Sequence, residues 1–221
     1  MLVAMGRHSA ARNFPFLSTF STIGNNRKRT DMTTIKDALK AFEAKTGEVA
    51  VDSTKVLLYG QFPPIQKMDI ALGGLKNCEQ LSISSNNIDR ISGLKGMEKL
   101  KILSLGRNLL KALQGLEDVA DTLEEIWVSY NSIDKLAGLE ACTKLKVLYM
   151  ANNLIKDWKE IDRLKSCVQL EELLLVGNPI VEASGDQFRI QVAGRLPWLK
   201  KLDGNPVDEE ERELGRAAVP Q

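Results

Sequence analysis

Residues 100–116 read LKILSLGRNLLKALQGL, and residues 123–139 read LEEIWVSYNSIDKLAGL. Set one above the other, Leu100, Leu103, Leu105, Asn108 and Leu110 fall on Leu123, Ile126, Val128, Asn131 and Ile133. The shared template is L-x-x-L-x-L-x-x-N-x-L. It recurs upstream as Cys78, Leu81, Ile83, Asn86 and Ile88. It recurs downstream as Leu145, Leu148, Met150, Asn153 and Ile155, and again as Leu170, Leu173, Leu175, Asn178 and Ile180. The five asparagines are spaced by 22, 23, 22 and 25 residues. Self-similarity at such a period marks a stack of like coils.

Apolar residues two apart, such as Leu103 and Leu105, share one face of a short strand. The asparagine stands where the chain turns off that strand. Its amide donates and accepts, so it can satisfy buried backbone groups of its own turn and the neighbouring coil. Asn86, Asn108, Asn131, Asn153 and Asn178 therefore read as a structural ladder rather than a polar active site. After each asparagine a second apolar set follows, such as Ile88, Ile91 and Leu94, or Leu110, Leu113 and Leu116. A spacing of three suits a short helical turn. The pattern predicts an α/β solenoid of the leucine-rich repeat type: a parallel sheet on the concave face, short helical returns, and a helical cap at each end.

Outward from the repeats, TTIKDALKAFEAK at 33–45 reads as a helix with Ile35, Leu39 and Phe42 on one side and Gly47 as its stop. Val56, Leu58 and Ile65 form a degenerate zeroth coil turned by Pro63-Pro64. Asp186 to Leu196 reads as a helix, Leu199 and Leu202 as a broken final repeat, and Glu209 to Arg216 as a helix projecting beyond the solenoid. The expected organisation is a disordered basic leader at 1–31, a helical cap at 32–55, repeats at 56–183, and a cap with an acidic helix and tail at 184–221.

Composition agrees with this plan. The chain has 221 residues, 43% hydrophobic but only 5% aromatic, as identical leucine layers fill a core without rings. The net charge of +1 sums a leader of +4 and a body of −3, so no face-wide design for nucleic acid or anionic membrane is visible. Residues 1–30 lack acids and carry several Ser and Thr, which fits a disordered extension, an upstream start ahead of Met32, or an organellar transit segment. Residues 208–213 carry −4. Cys78, Cys142 and Cys167 occupy or adjoin repeat core positions and read as buried thiols of a reducing compartment. The one histidine, His8, lies in the leader, and no phosphate-cradling glycine motif occurs, so neither a zinc site, a histidine triad nor any cofactor site is indicated. The reading is a binding protein, not an enzyme.

Residues between the core positions of each strand face the concave side. The central ones are Ser82, Ser104, Trp127, Tyr149 and Leu174, and Ile102, Val147 and Val176 flank them. Of six Trp and Tyr residues, two occupy this central column, where strand sterics ask for no ring. A contiguous apolar patch of this kind marks a protein–protein site. Arg107 and Tyr130 lie one step further along, at the strand edge, as a polar rim.

Several segments go beyond the repeat. TTIKDALKAFEAKTG, FPPIQKMD, LSISSNNIDRISGL, KILSLGRNLLK, DTLEEIWVSYNSIDKL, KVLYMANNLIKDW and RLPWLKKLDGNPVDEEERE together resemble the leucine-rich light chains of outer-arm axonemal dynein over about residues 32–213. The resemblance includes surface residues such as Trp127, Tyr130 and Trp158. It implies a non-catalytic dynein subunit of the ciliary or flagellar axoneme, in the cytoplasm and cytoskeleton. The implied partners are the heavy chain at its stalk microtubule-binding domain and, as a further contact linked to the family, tubulin in the microtubule. It also implies motor contacts from the C-terminal helix at Asn205, Asp208, Arg212 and Arg216. The alternative is a leucine-rich adaptor of a phosphatase-regulatory or spliceosomal complex.

Overall fold

The computed structural model describes residues 32–219. The expectations for the leader lie outside these residues. Seven short strands stack in parallel in chain order: β1 (Lys55–Leu57), β2 (Gln80–Ser82), β3 (Ile102–Ser104), β4 (Glu125–Trp127), β5 (Val147–Tyr149), β6 (Glu172–Leu174) and β7 (Lys201–Leu202). An eighth, β8 (Asn205–Pro206), closes the sheet antiparallel to β7. The register pairs equivalent repeat positions, Leu103 with Ile126 and Ser104 with Trp127 for example. All template apolar residues from Cys78 to Ile180 are buried, as are Val56, Leu58 and Ile65 of the zeroth coil and Leu199 and Leu202 of the last.

The asparagine ladder supplies a like set of backbone bonds in five successive turns. In the fourth coil, Asn153 Oδ1 accepts from Ile133 N of the preceding coil at 3.0 Å. Its Nδ2 donates to Val128 O at 3.1 Å and Met150 O at 3.0 Å. Asn86, Asn108, Asn131 and Asn178 repeat this pattern on their own neighbours. Successive asparagines share a carbonyl, so Val128 O accepts from both Asn131 and Asn153.

The returns differ from the helical turns anticipated in each coil. Helical geometry is confined to a 3-10 turn at Ile70–Gly74 and to α2 (Trp158–Asp162) with the 3-10 turn Arg163–Ser166 after it. The second and third returns are chains of single turns closed by i+3 to i bonds, as where Met97 N donates to Leu94 O and Leu100 N to Met97 O. Glycines set the close approach of neighbouring returns: Gly115 has φ +100°, and a Cβ there would overlap Ile91 O of the preceding coil.

Both ends are capped. Helix α1 (Ile35–Thr46) starts on Thr34, whose side chain accepts from Asp37 N, and stops at left-handed Gly47. It buries Ile35, Ala38 and Phe42, with Leu39 only partly covered. At the other end, α3 (Pro179–Ser184), α4 (Gln187–Arg195) and α5 (Glu209–Ala218) follow the fifth repeat. The C-terminal helix forms as anticipated but does not project freely. Gly194 of α4 and Gly215 of α5 meet backbone to backbone, so the two helices pack in close contact. Arg189 on α4 adds a two-pronged ion pair to Glu211 and donates to Leu202 O and Pro206 O. Asp208 caps α5 with a reciprocal bond from Glu211.

The residue just before each strand from β2 to β7 is charged, in strict alternation: Glu79, Lys101, Glu124, Lys146, Glu171, Lys200. Lys101 pairs with Glu79 at 2.8 Å, Lys146 with Glu124 at 2.7 Å, and Lys200 with Glu171 at 2.8 Å.

Candidate protein interface

Strand pleating brings alternate side chains to the concave surface, and the parallel register aligns them into columns. Trp127 and Tyr149 are directly paired neighbours across β4 and β5, and their rings stack at 6.0 Å between centroids, 25° apart in plane. Leu174 follows on β6. Ile102 and Val147 lie two residues earlier on their strands than the central column, and Val176 lies two residues later, about half exposed. The structure therefore gathers Trp127, Tyr149, Leu174, Ile102, Val147 and Val176 on one sheet face, as the alternation implied.

Two carboxylates that strand alternation also places on this face, Glu125 and Glu172, hold the rings. Glu125 shares the face of Trp127 on β4 and accepts its indole N–H at 3.1 Å. Glu172 on β6 accepts the Tyr149 hydroxyl at 2.9 Å and pairs with Lys201 at 3.0 Å. Partial burial and the Glu172 charge raise the Tyr149 phenol above its ordinary pKa. Each ring is thus held at both ends: carbon packing on one side, a directed hydrogen bond on the other. The signal was present in the i, i+2 spacing of Glu125 and Trp127.

Arg107 and Tyr130 sit at the rim as anticipated, in a conformation the sequence reading overlooked. Each precedes a ladder asparagine, and each is left-handed, with φ 55° and 60°. The Arg107 guanidinium lies over the Tyr130 ring at 4.3 Å. Gly60, Asn152 and Gly177 occupy the same turn position in other coils, Asn152 and the two glycines being residue types that tolerate it cheaply. A bulky side chain there costs about 1 kcal/mol. Ser85 holds the position before Asn86 with φ 55°, so the left-handed turn belongs to every coil from the zeroth to the fifth.

The four C-terminal candidates lie apart, on the cap beyond β7. Asn205 and Asp208 are exposed, and Arg216 pairs with Glu209 at 3.0 Å. Arg212 is committed to the scaffold: its guanidinium donates to Pro197 O and Val207 O. The remaining tryptophans also serve the cap. Trp158 packs with Phe188 and under Arg195, and Trp198 Nε1 donates to Cys167 O. The three cysteines are buried and free, and burial pushes Cys78 up to about 11 and Cys142 to about 12.

The geometry defines a leucine-rich repeat protein, and a family model for leucine-rich repeats matches residues 76–118 and 121–166. Solved structures agree on the fold. A Leptospira interrogans leucine-rich repeat protein covers 68% of this chain at a TM-score of 0.57 and 20% identity, with 37% of its own length matched. The Drosophila melanogaster SNF/U2A′ complex contributes a chain covering 62% at 0.56 and 22% identity, with 79% of its own length matched.

Sequence relatives go further. The chain is 53% identical over 191 residues to dynein axonemal light chain 1 of Chlamydomonas reinhardtii, covering 84% of this chain and 96% of that protein. It is 57% identical to the Danio rerio protein of that name over 183 residues (82% and 95%), and 52% identical to the human one over 184 residues (81% and 97%). The chain belongs to the dynein axonemal light chain 1 family.

Proposed function

We propose that this chain is a non-catalytic subunit of outer-arm dynein in the ciliary or flagellar axoneme. It docks on a heavy chain at the microtubule-binding head of the stalk and tunes how the motor engages the microtubule, and so the beat. The observation that carries the reading is the Trp127–Tyr149–Leu174 stripe. Rings pinned by carboxylates on adjacent rigid strands form a preorganised, rotamer-poor anchor, which suits a binding hot spot. The Arg107–Tyr130 cation–π pair supports it as a rim of mixed polar and aromatic character. Asn205, Asp208 and Arg216 on the cap offer a second contact toward the motor or tubulin, with Arg212 holding that cap in place.

The test is calorimetric titration of the chain with a recombinant heavy-chain stalk head. Trp127→Ala with Tyr149→Ala weakens binding by several kcal/mol while the circular dichroism spectrum is unchanged. Unaltered affinity in that variant refutes the reading. Co-purification from axonemes with a phosphatase or an RNA-binding protein in place of a dynein heavy chain also refutes it.

A further inference from the structure

We infer that Glu125 is the charge-selecting residue of the concave face, and that the segment docking there is an apolar one carrying an arginine or lysine set against Glu125 and Trp127. The inference rests on the docking reading above and adds the chemistry of the occupant.

The argument begins with the setting of the carboxylate. In register, Glu125 lies between Ile102 on β3 and Val147 on β5. It shares its strand face with Trp127, whose indole N–H is bonded to one of its oxygens. Its neighbours along the sheet are neutralised: Glu124 by Lys146, Glu172 by Lys201. Among the described residues Glu125 has no lysine or arginine partner. Lys146 feels the Glu125 charge at longer range but is ion-paired to Glu124, so Glu125 is a carboxylate without a close cation, framed by two aliphatic side chains and an indole.

In the unbound chain water solvates the open side of this carboxylate. A partner covering Ile102, Trp127 and Val147 removes that water. An unpaired carboxylate so covered costs more than the apolar contacts around it return, unless the partner brings a cation. A purely apolar segment is penalised, and a segment with a correctly placed basic side chain is selected. The surface has room for that side chain. Tyr149 stacks on Trp127 from the β5 side. On the β3 side the residue opposite Trp127 is Ser104, a small residue lying almost flat in the sheet. Serine being small, the β3 side of the indole is less crowded than the β5 side, where Tyr149 stacks. An arginine approaching from the β3 side would meet the Trp127 ring with its planar face and Glu125 with its N–H groups.

If Glu125 only holds the indole, a neutral amide oxygen serves equally, since it accepts the same N–H. Glu125→Gln therefore separates the two roles. The experiment titrates the recombinant heavy-chain stalk head into wild type, Glu125→Gln, Glu125→Lys, and Trp127→Ala with Tyr149→Ala, at low salt and at about 0.3 M salt, where exposed charge interactions are largely screened. The expected result is a loss of about tenfold for Glu125→Gln and about a hundredfold for Glu125→Lys at low salt, with the Gln gap narrowing at high salt. Reversal of one arginine or lysine on the stalk head to glutamate restores binding to Glu125→Lys by about tenfold or more. Wild-type affinity in both Glu125 variants, with binding lost in the tryptophan–tyrosine variant, overturns the cation assignment and leaves the docking face standing. Full binding in the tryptophan–tyrosine variant overturns both.

Discussion

Replacing one ladder asparagine tests the physical basis of the whole stack. Asn153 is 3% exposed and makes bonds to Ile133 N, Val128 O and Met150 O. In Asn153→Ala the two carbonyls keep a donor each, since Val128 O still receives Asn131 Nδ2 at 2.9 Å and Met150 O still receives Asn178 Nδ2 at 2.9 Å. The Ile133 N–H, buried under the next coil, is left with none. An orphaned buried donor costs about 1–3 kcal/mol, and each thinned carbonyl about 0.5–1 kcal/mol, so the sum is about 3 kcal/mol. For a chain of this length that is a fall in Tm of about 6–12 °C. Asn131 makes the same set of bonds but is only partly buried, so water can replace its amide. Asn131→Ala therefore costs about 1–2 kcal/mol. Urea unfolding followed by circular dichroism, with unchanged m-values, gives both numbers. An Asn153→Ala cost below about 1 kcal/mol, or equal costs at the two sites, refutes the view that shared carbonyls and buried donors hold the coils.

Three further outcomes follow from the packing. Gly215→Val puts side-chain atoms into the backbone of α4 at Gly194, costing about 2 kcal/mol or more and detaching α5, read as new proteolytic cleavage near 204–208 with the solenoid intact. Cys78, Cys142 and Cys167 stay unreactive to a thiol reagent at pH 8 in the folded chain, and all react once urea unfolds it; one fast native thiol contradicts their burial between the coils. The Arg189 hydrogen bonds hold the Glu211 carboxyl below its ordinary pKa, so the stability it adds is present above the unfolded value of about 4.3 and fades as pH falls through the folded value. Glu211→Gln therefore lowers the Tm at pH 7, by about 1 kcal/mol of stability, and the gap to wild type closes toward pH 3. A gap independent of pH counts against that ion pair.

The repeat made the solenoid legible because its signal is periodic: the same five positions recur, and burial follows them coil by coil. Ile102, Trp127, Val147, Tyr149, Leu174 and Val176 were placed on one face by strand alternation alone. What stayed hidden depends on contacts between coils or between distant segments. The returns read as helical because a spacing of three is common to a helix and to successive turns, and the spacing alone does not separate the two. The C-terminal helix read as projecting because its acidic first turn gave no partner. Its partners, Gly194 and Arg189, lie about 20 residues away in sequence. The roles of Glu125 and Glu172 were hidden because a charged residue on a strand face reads first as a solvated one.

The alternating Glu and Lys before the strands group the coils in twos, since Glu79–Lys101, Glu124–Lys146 and Glu171–Lys200 bridge alternate gaps only. Each pair is exposed and contributes little by itself. Together they give the stack a parity. Excising the third coil whole sets Lys101 beside Lys146, a like-charge neighbour, while excising the third and fourth together sets Lys101 beside Glu171. A coil lost or gained singly therefore leaves a small like-charge mismatch at the junction, and a change by two coils leaves none.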